Sequence, residues 1–256
     1  MSPESISLFP GLELCHDVGP AEWVRAALRP WTHDPSVRIS SFVPAAYPAH
    51  GRILHRTESW RPSRLANGKP ESYNRLRWRE IAEQTGRTLD ARTRYSDLLG
   101  WYAKPNSQSP PSPWGLPSEG TLQPEECAAA AEVLSRFTTT PNECWFCLWE
   151  GYGRWPWMEA LAAHTPRVRL ENRDCLLFRG PVAAATAFRC ETMLQSPTLW
   201  WPEDRAWFVA TDLDEYSTYL GASPEALQSL IVHPDLEVLE CAADQPMDPS
   251  PWLPAP

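Results

Sequence analysis

Apolar and polar positions change rhythm often along this chain, and each change predicts a short element. Trp23, Val24, Ala27 and Leu28 fall near helical spacing behind Pro20, which predicts a helix over 21–28 that Pro30 ends. Residues 37–43 read as a strand. Ile53 and His55 alternate with Arg52, Leu54 and Arg56 and predict a second strand over 51–57. Residues 60–70 read as a polar loop carrying the turn signal Asn67-Gly68. A helix follows over 78–85, closed by Gly86, and Leu98, Leu99 and Trp101 form a further apolar patch.

The C-terminal half is more regular. Pro124 opens an alanine-rich helix that runs to Phe137. Residues 144–150 read as a strand, 157–164 as a short helix, and 167–171 with 175–179 as a hairpin around Asn172-Arg173-Asp174. Gly180-Pro181 introduces a predicted helix over 181–194. Strands are predicted over 206–211 and 216–220, a helix capped by Ser223-Pro224 runs to 232, and a last strand covers 236–239. Paired strands mix with helices without strict βαβ alternation. The predicted fold is therefore α+β, with a mixed or mainly antiparallel sheet and helices packed on one face.

The strongest punctuation is PNSQSPPSPWGLPSEG, residues 105–120, which reads as a Pro/Ser-rich linker or loop. It separates a basic N-terminal α+β half, 1–104, from a C-terminal α+β half, 121–241. A Pro-rich tail, 242–256, is predicted to be loose. The expectation is one integrated fold rather than two independent units.

Composition adds three constraints. Pro occurs 28 times, which implies short elements and rigid connections. Trp occurs 14 times, more than one core needs, so some rings are expected to line a groove or an interface. No apolar run reaches the roughly 18 residues of a membrane span, and Met1 to Pro10 lacks a leader pattern, so the expected place is the cytoplasm and no membrane partner is expected. The net charge of -9 argues against nucleic acid as main partner, although Arg52, Arg56, Arg61, Arg64, Lys69, Arg75, Arg77, Arg79, Arg87, Arg92 and Arg94 make the N-terminal half basic. Those arginines are expected either to pair with acids across the fold or to meet phosphate.

Candidate chemistry is sparse. Gly-rich phosphate loops, GxSxG and HExxH are absent. Cys144-Trp145-Phe146-Cys147 is a CxxC, but on a strand positions i and i+3 face opposite ways, so the sulfurs are expected to diverge. No metal site and no cofactor are expected, and the seven cysteines read as reduced thiols. Asp212 and Asp214, if the strand persists, share a face and could hold a divalent cation or divide acid and base roles, but a solvated hairpin turn accounts for them more simply. His55 is a third catalytic candidate, with arginines on both sides, and His50 lies five residues before it. A ligand groove is expected from Trp200, Trp201, Arg205, Trp149, Trp155 and Arg52.

The stretches VPAAYPAHGRILHR (43–56), CWFCLWEGYG (144–153) and WWPEDRAWFVATDLDEYSTYLG (200–221) resemble motifs of tryptophan-rich, uncharacterised actinobacterial proteins. Those proteins read YARILHP where this chain has PAHGRILHR, so the His50-Gly51 pair departs from their pattern. The resemblance touches both halves and implies one fold, with no activity attached. A fainter similarity in element order points to the immunity and adaptor domains of the SMI1/KNR4 type. Together these readings lead to an expected non-catalytic binding, adaptor or immunity-type protein that takes a protein partner or a small polar ligand. The competing expectations are a hydrolase or transferase with a Trp/Asp/Arg-lined pocket, and phosphate or nucleic-acid binding through the 52–94 arginines.

Overall fold

A computed structural model describes residues 9–31, 37–60, 73–100, 113–152, 163–171, 173–190 and 193–247. In chain order the strands begin with β1 (Glu13–Leu14), β2 (Ala49–Leu54), β3 (Thr57–Trp60), β4 (Tyr73–Leu76) and β5 (Trp114–Pro117). They continue with β6 (Cys144–Trp149), β7 (Val168–Arg169), β8 (Asp174–Gly180), β9 (Arg189–Cys190) and β10 (Met193–Leu194). The last are β11 (Leu199–Pro202), β12 (Phe208–Thr211), β13 (Ser217–Ala222) and β14 (Val238–Cys241). The helices are α1 (Glu22–Ala27), α2 (Trp78–Thr85), α3 (Tyr95–Leu99), α4 (Pro124–Leu134) and α5 (Pro224–Ile231).

The fold is α+β, as the element order predicts. Its main sheet has nine strands in the order β1-β8-β6-β11-β12-β13-β2-β14, and β7 shares the outer edge of β8 with β1. Every pairing is antiparallel. β2, from the N-terminal half, lies between β13 and β14, with Arg52 opposite both Tyr219 and Leu239. A smaller sheet, β4-β3-β5, and the β9–β10 pair complete the strands.

Alternation along each strand sorts side chains between two cores. Cys144, Phe146, Leu148, Trp200 and Val209 face α4, α5 and a 3₁₀ turn at Val182–Thr186. Trp145, Cys147, Trp201, Phe208 and Ala210 face the opposite way, against α1 and a 3₁₀ turn at Ile39–Ser41. Both faces are covered, which explains the unbroken apolar run CWFCLW: every position along β6 needs an apolar side chain. A third cluster joins α2 and α3 to the sheet through Trp78, Ile81, Tyr95, Leu98, Leu54 and Tyr216.

Several expectations change. Residues 37–43 do not form a strand. Ile39–Ser41 close a 3₁₀ turn, with Ser41 N–H donating to Arg38 O and Phe42 N–H to Ile39 O, each at 2.9 Å. Ile39, Phe42 and Val43 then fall on one side of the turn and seal the α1 face. The described residues of 181–194 do not form the predicted helix either. The chain makes the 3₁₀ turn, then β9 and β10, because Phe188 is drawn into a ring cluster with Phe9, Phe146 and Phe178 at centroid distances of 5.0 to 5.9 Å. Tertiary packing here overrides the alanine-rich helix propensity. Part of the 105–120 segment, Trp114–Pro117, is the strand β5 paired to β3. Residues 101–112 lie outside the described residues, as do most of 60–70 and of the 157–164 helix. The start of the tail is packed: Met247 is buried, and its N–H donates to Val37 O at 2.9 Å.

No described helix is long and apolar enough to cross a membrane. Among the described residues Cys15, Cys127, Cys144, Cys147, Cys175 and Cys241 are free thiols, and Cys144 and Cys147 belong to opposite cores, so their sulfurs diverge as strand geometry requires.

Candidate functional site

The residues singled out from sequence do not assemble into one site. Trp200 and Trp201 are each 1% exposed, on opposite faces of the sheet. Trp200 stacks on Phe146 at 6.3 Å and meets Trp207 edge-on at 5.0 Å, while Trp201 stacks on Phe208 at 5.6 Å. Rings so enclosed are packed as parts of the two cores. Trp149 is half-buried against Gly151, where an added Cβ would meet its ring at 2.1 Å. Arg205 lies over Trp23 at 4.6 Å, and Trp155 lies outside the described residues.

Arg52 is 2% exposed and serves as a buried tie. Its Nε donates to Ser217 Oγ at 2.9 Å and its Nη1 to Thr93 O at 2.9 Å and Ala91 O at 3.2 Å, with the ring of Trp78 5.3 Å away. His55 is fully buried. Its Nδ1–H donates to Ser118 O at 2.6 Å, which leaves Nε2 to accept from Thr218 Oγ1 at 2.9 Å, and Thr211 Oγ1 follows at 2.8 Å. Burial pushes the imidazole down to about 4, so it is neutral near pH 7.

The acid pair separates in environment. Asp212 is buried and bonded to Arg173, and its Oδ1 accepts from Asp214 N–H at 3.2 Å. Asp214 is exposed on the same turn, its carboxyl raised by partial burial and by the charge of Asp212. This arrangement braces a hairpin and leaves the two carboxylates without a common pocket.

A different residue stands out. Glu126, in the first turn of α4, is 2% exposed, and neither carboxylate oxygen has a hydrogen-bond partner. Acids are common in a first helical turn, where the helix dipole favours them. Its neighbour Glu125 behaves accordingly: it pairs with Arg75 at 2.6 Å, which lowers its carboxyl. Glu126 instead faces inward, and burial pushes it up to about 7 against the charges of Arg56 and Arg75 and the nearby Arg56 backbone N–H, which stands outside hydrogen-bond geometry. Arg56 Nε, also buried and without a hydrogen bond, stands 3.7 Å from Glu126 Oε1. That is within ion-pair range but beyond a hydrogen bond.

These groups line an open cleft of about 770 Å³ whose wall also includes Arg75, Leu76, Glu80, Glu125 and Asp235. Four parts of the chain build it, one of them the α5–β14 turn that supplies Asp235. The β2–β3 link supplies Arg56, anchored by Nη2 to Asp235 O at 2.8 Å. The β4–α2 corner supplies Arg75 and Glu80, whose Oε2 accepts from Arg77 N–H at 2.7 Å. The α4 start supplies both glutamates. The cleft holds four carboxyl groups and two guanidinium groups, and its volume falls in the roughly 300–1,000 Å³ range of ligand sites.

A sequence signal for Glu126 exists. It shares the α4 stripe with Cys127, Ala130 and Val133, which are all buried, so a carboxylate occupies a core position. No group of three or more metal-ligating side chains is found among the described residues. No protein-family model matches the chain, and no curated protein or solved structure is found similar to it. The resemblances of the motifs therefore gain no support from these comparisons.

Proposed function

We propose that this is a non-catalytic binding protein whose contact site is the Glu126 cleft rather than its tryptophan faces. The observation that carries the reading is a buried carboxyl group with no hydrogen-bond partner at the wall of an open cleft. An unsatisfied buried polar group costs about 1–3 kcal/mol. A fold that served stability alone would place an apolar side chain on this stripe. The excess of carboxylates over guanidiniums in the cleft favours a ligand that donates hydrogen bonds and carries positive charge, and the net charge of -9 favours the approach of such a partner. An ammonium or guanidinium group, on a protein side chain or on a small amine, meets both requirements. It reaches Glu126 once the Arg56 side chain moves aside.

The test is a titration with ethylguanidinium and n-propylammonium, with glycerol as the uncharged donor, followed through the Arg56 Nε–H resonance. Saturable shifts with the cations, weakened at least tenfold in Glu126→Gln, support the reading. Equal responses in wild type and variant, or none at all, overturn it.

One observation favours a second reading, a hydrolase or transferase. A carboxyl group that titrates near neutral pH is matched to general acid–base work. Turnover of a substrate with an inflection near pH 7 that disappears in Glu126→Gln is the result this reading requires.

A further inference from the structure

A second pocket, of about 80 Å³, opens on the opposite face of the sheet where α1 ends. Its volume is well below the roughly 300–1,000 Å³ of a site that swallows a whole ligand, so it admits a head group. Leu28, Leu170, Leu199 and the rings of Trp31 and Phe42 make its walls apolar. The two rings meet edge-on at 5.1 Å, and Arg173 lies over the Phe42 ring at 5.4 Å.

Its charge is unusual for a chain with this acidic balance. Arg25, Arg29 and Arg173 all line it. Arg173 is held in place by Asp212. Among the described residues the guanidinium groups of Arg25 and Arg29 have no ion pair or hydrogen bond, although they flank the same opening. The one carboxylate at the rim, Glu171, accepts from Trp31 N–H at 2.5 Å. Two exposed guanidiniums thus border an apolar pocket, a combination that suits an anion with a short apolar stem.

We propose that this pocket is a carboxylate-binding site, with Arg25 and Arg29 receiving the anionic oxygens and Trp31 and Phe42 the adjoining methylenes. A planar carboxylate matches the guanidinium fork in size and in hydrogen-bond direction. The carboxylate has two sources, a free short-chain acid or an acidic side chain of a peptide. The site is independent of the Glu126 cleft.

The test uses the full chain and ¹H–¹⁵N spectra, with propionate as the free acid and N-acetyl-Ala-Glu-Ala-amide as the peptide, and chloride at matched ionic strength as control. Arg25 and Arg29 are exposed, so Arg25→Gln/Arg29→Gln is expected to keep the wild-type melting temperature. The expected result is saturable shifts at Trp31, Ser41 and Leu170, with affinity lowered at least tenfold in the double variant and unaltered in Glu126→Gln. Tighter binding of propionate assigns the site to free acids, and tighter binding of the peptide assigns it to a protein partner. Shifts that chloride reproduces, shifts that persist in the double variant, or no shifts with either probe overturn the proposal. Should the double variant melt early, Arg25→Lys/Arg29→Lys repeats the comparison with charge retained and the fork lost, and undiminished binding there overturns the bidentate geometry.

Discussion

Arg56 Nε and Glu126 Oε1 face each other across 3.7 Å, both buried, and neither makes a hydrogen bond. An ion pair between buried groups stabilises only when hydrogen bonds satisfy its remaining polar atoms. Arg56 has one, from Nη2 to Asp235 O, but the Glu126 oxygens have none, so the contact is a weak point in stability.

That weakness has a pH signature. Burial raises the folded Glu126 carboxyl to about 7 from 4.5. Between those values the folded chain keeps a proton that the unfolded chain has released, so stability falls as pH rises, by roughly 3 kcal/mol in all. His55 acts in the opposite direction. Its folded value is about 4 against 6.5, so the unfolded chain takes up the proton first as pH drops, and stability is lost from 6.5 downward by roughly the same amount. The two slopes offset each other between pH 4.5 and 6.5. Urea denaturation of Glu126→Gln in steps of half a pH unit is expected to uncover the His55 slope, stability rising with pH by as much as about 1.4 kcal/mol per unit. The same variant is expected to be more stable than wild type above pH 7. A variant profile parallel to the wild-type one contradicts both assignments.

Glu237 shows how a buried carboxylate behaves when satisfied. It is 1% exposed and accepts from Trp78 N–H at 2.7 Å and from Arg79 N–H and Nε–H, each at 3.0 Å. The first two are free donors at the start of α2, so a strand-end residue caps that helix and fastens it to the sheet. Glu237→Ala is expected to cost about 3 kcal/mol in chemical denaturation. Arg79→Ala is expected to cost less than about 1 kcal/mol, because that guanidinium is half exposed and the backbone bonds survive. Equal losses in the two variants place the stabilisation in the ion pair instead of the cap.

Arg52 separates a structural tie from a ligand contact. Its bonds to Ser217 Oγ, Thr93 O and Ala91 O join β2 and β13 to the turn before α3. A lysine supplies one charge but not the fork that reaches these acceptors. Arg52→Lys is expected to destabilise by about 2–4 kcal/mol and to speed hydrogen exchange in α2 and α3, with the ethylguanidinium affinity of the folded chain unchanged. Loss of that affinity at wild-type stability returns Arg52 to the binding machinery.

How much was legible in the sequence depends on how far the deciding contact lies along the chain. The α+β class, the helix stop at Gly86, the Ser223 cap and the divergence of Cys144 and Cys147 follow from local spacing and backbone geometry. So does the presence of the arginines, and three of them do meet acids across the fold: Arg56 with Glu126, Arg75 with Glu125, and Arg79 with Glu237. The chain by itself thus determined most of its helices and strands and an unusual supply of tryptophan. Only the tertiary structure decided that Trp200 and Trp201 are enclosed, that residues 39–41 and 182–186 turn as 3₁₀ segments, and that Glu126 is buried without a partner. The reason is physical. Propensity and periodicity act over a few residues, whereas desolvation of a carboxyl group or enclosure of a ring depends on whatever distant segments pack around it, here Arg56 some 70 positions from Glu126.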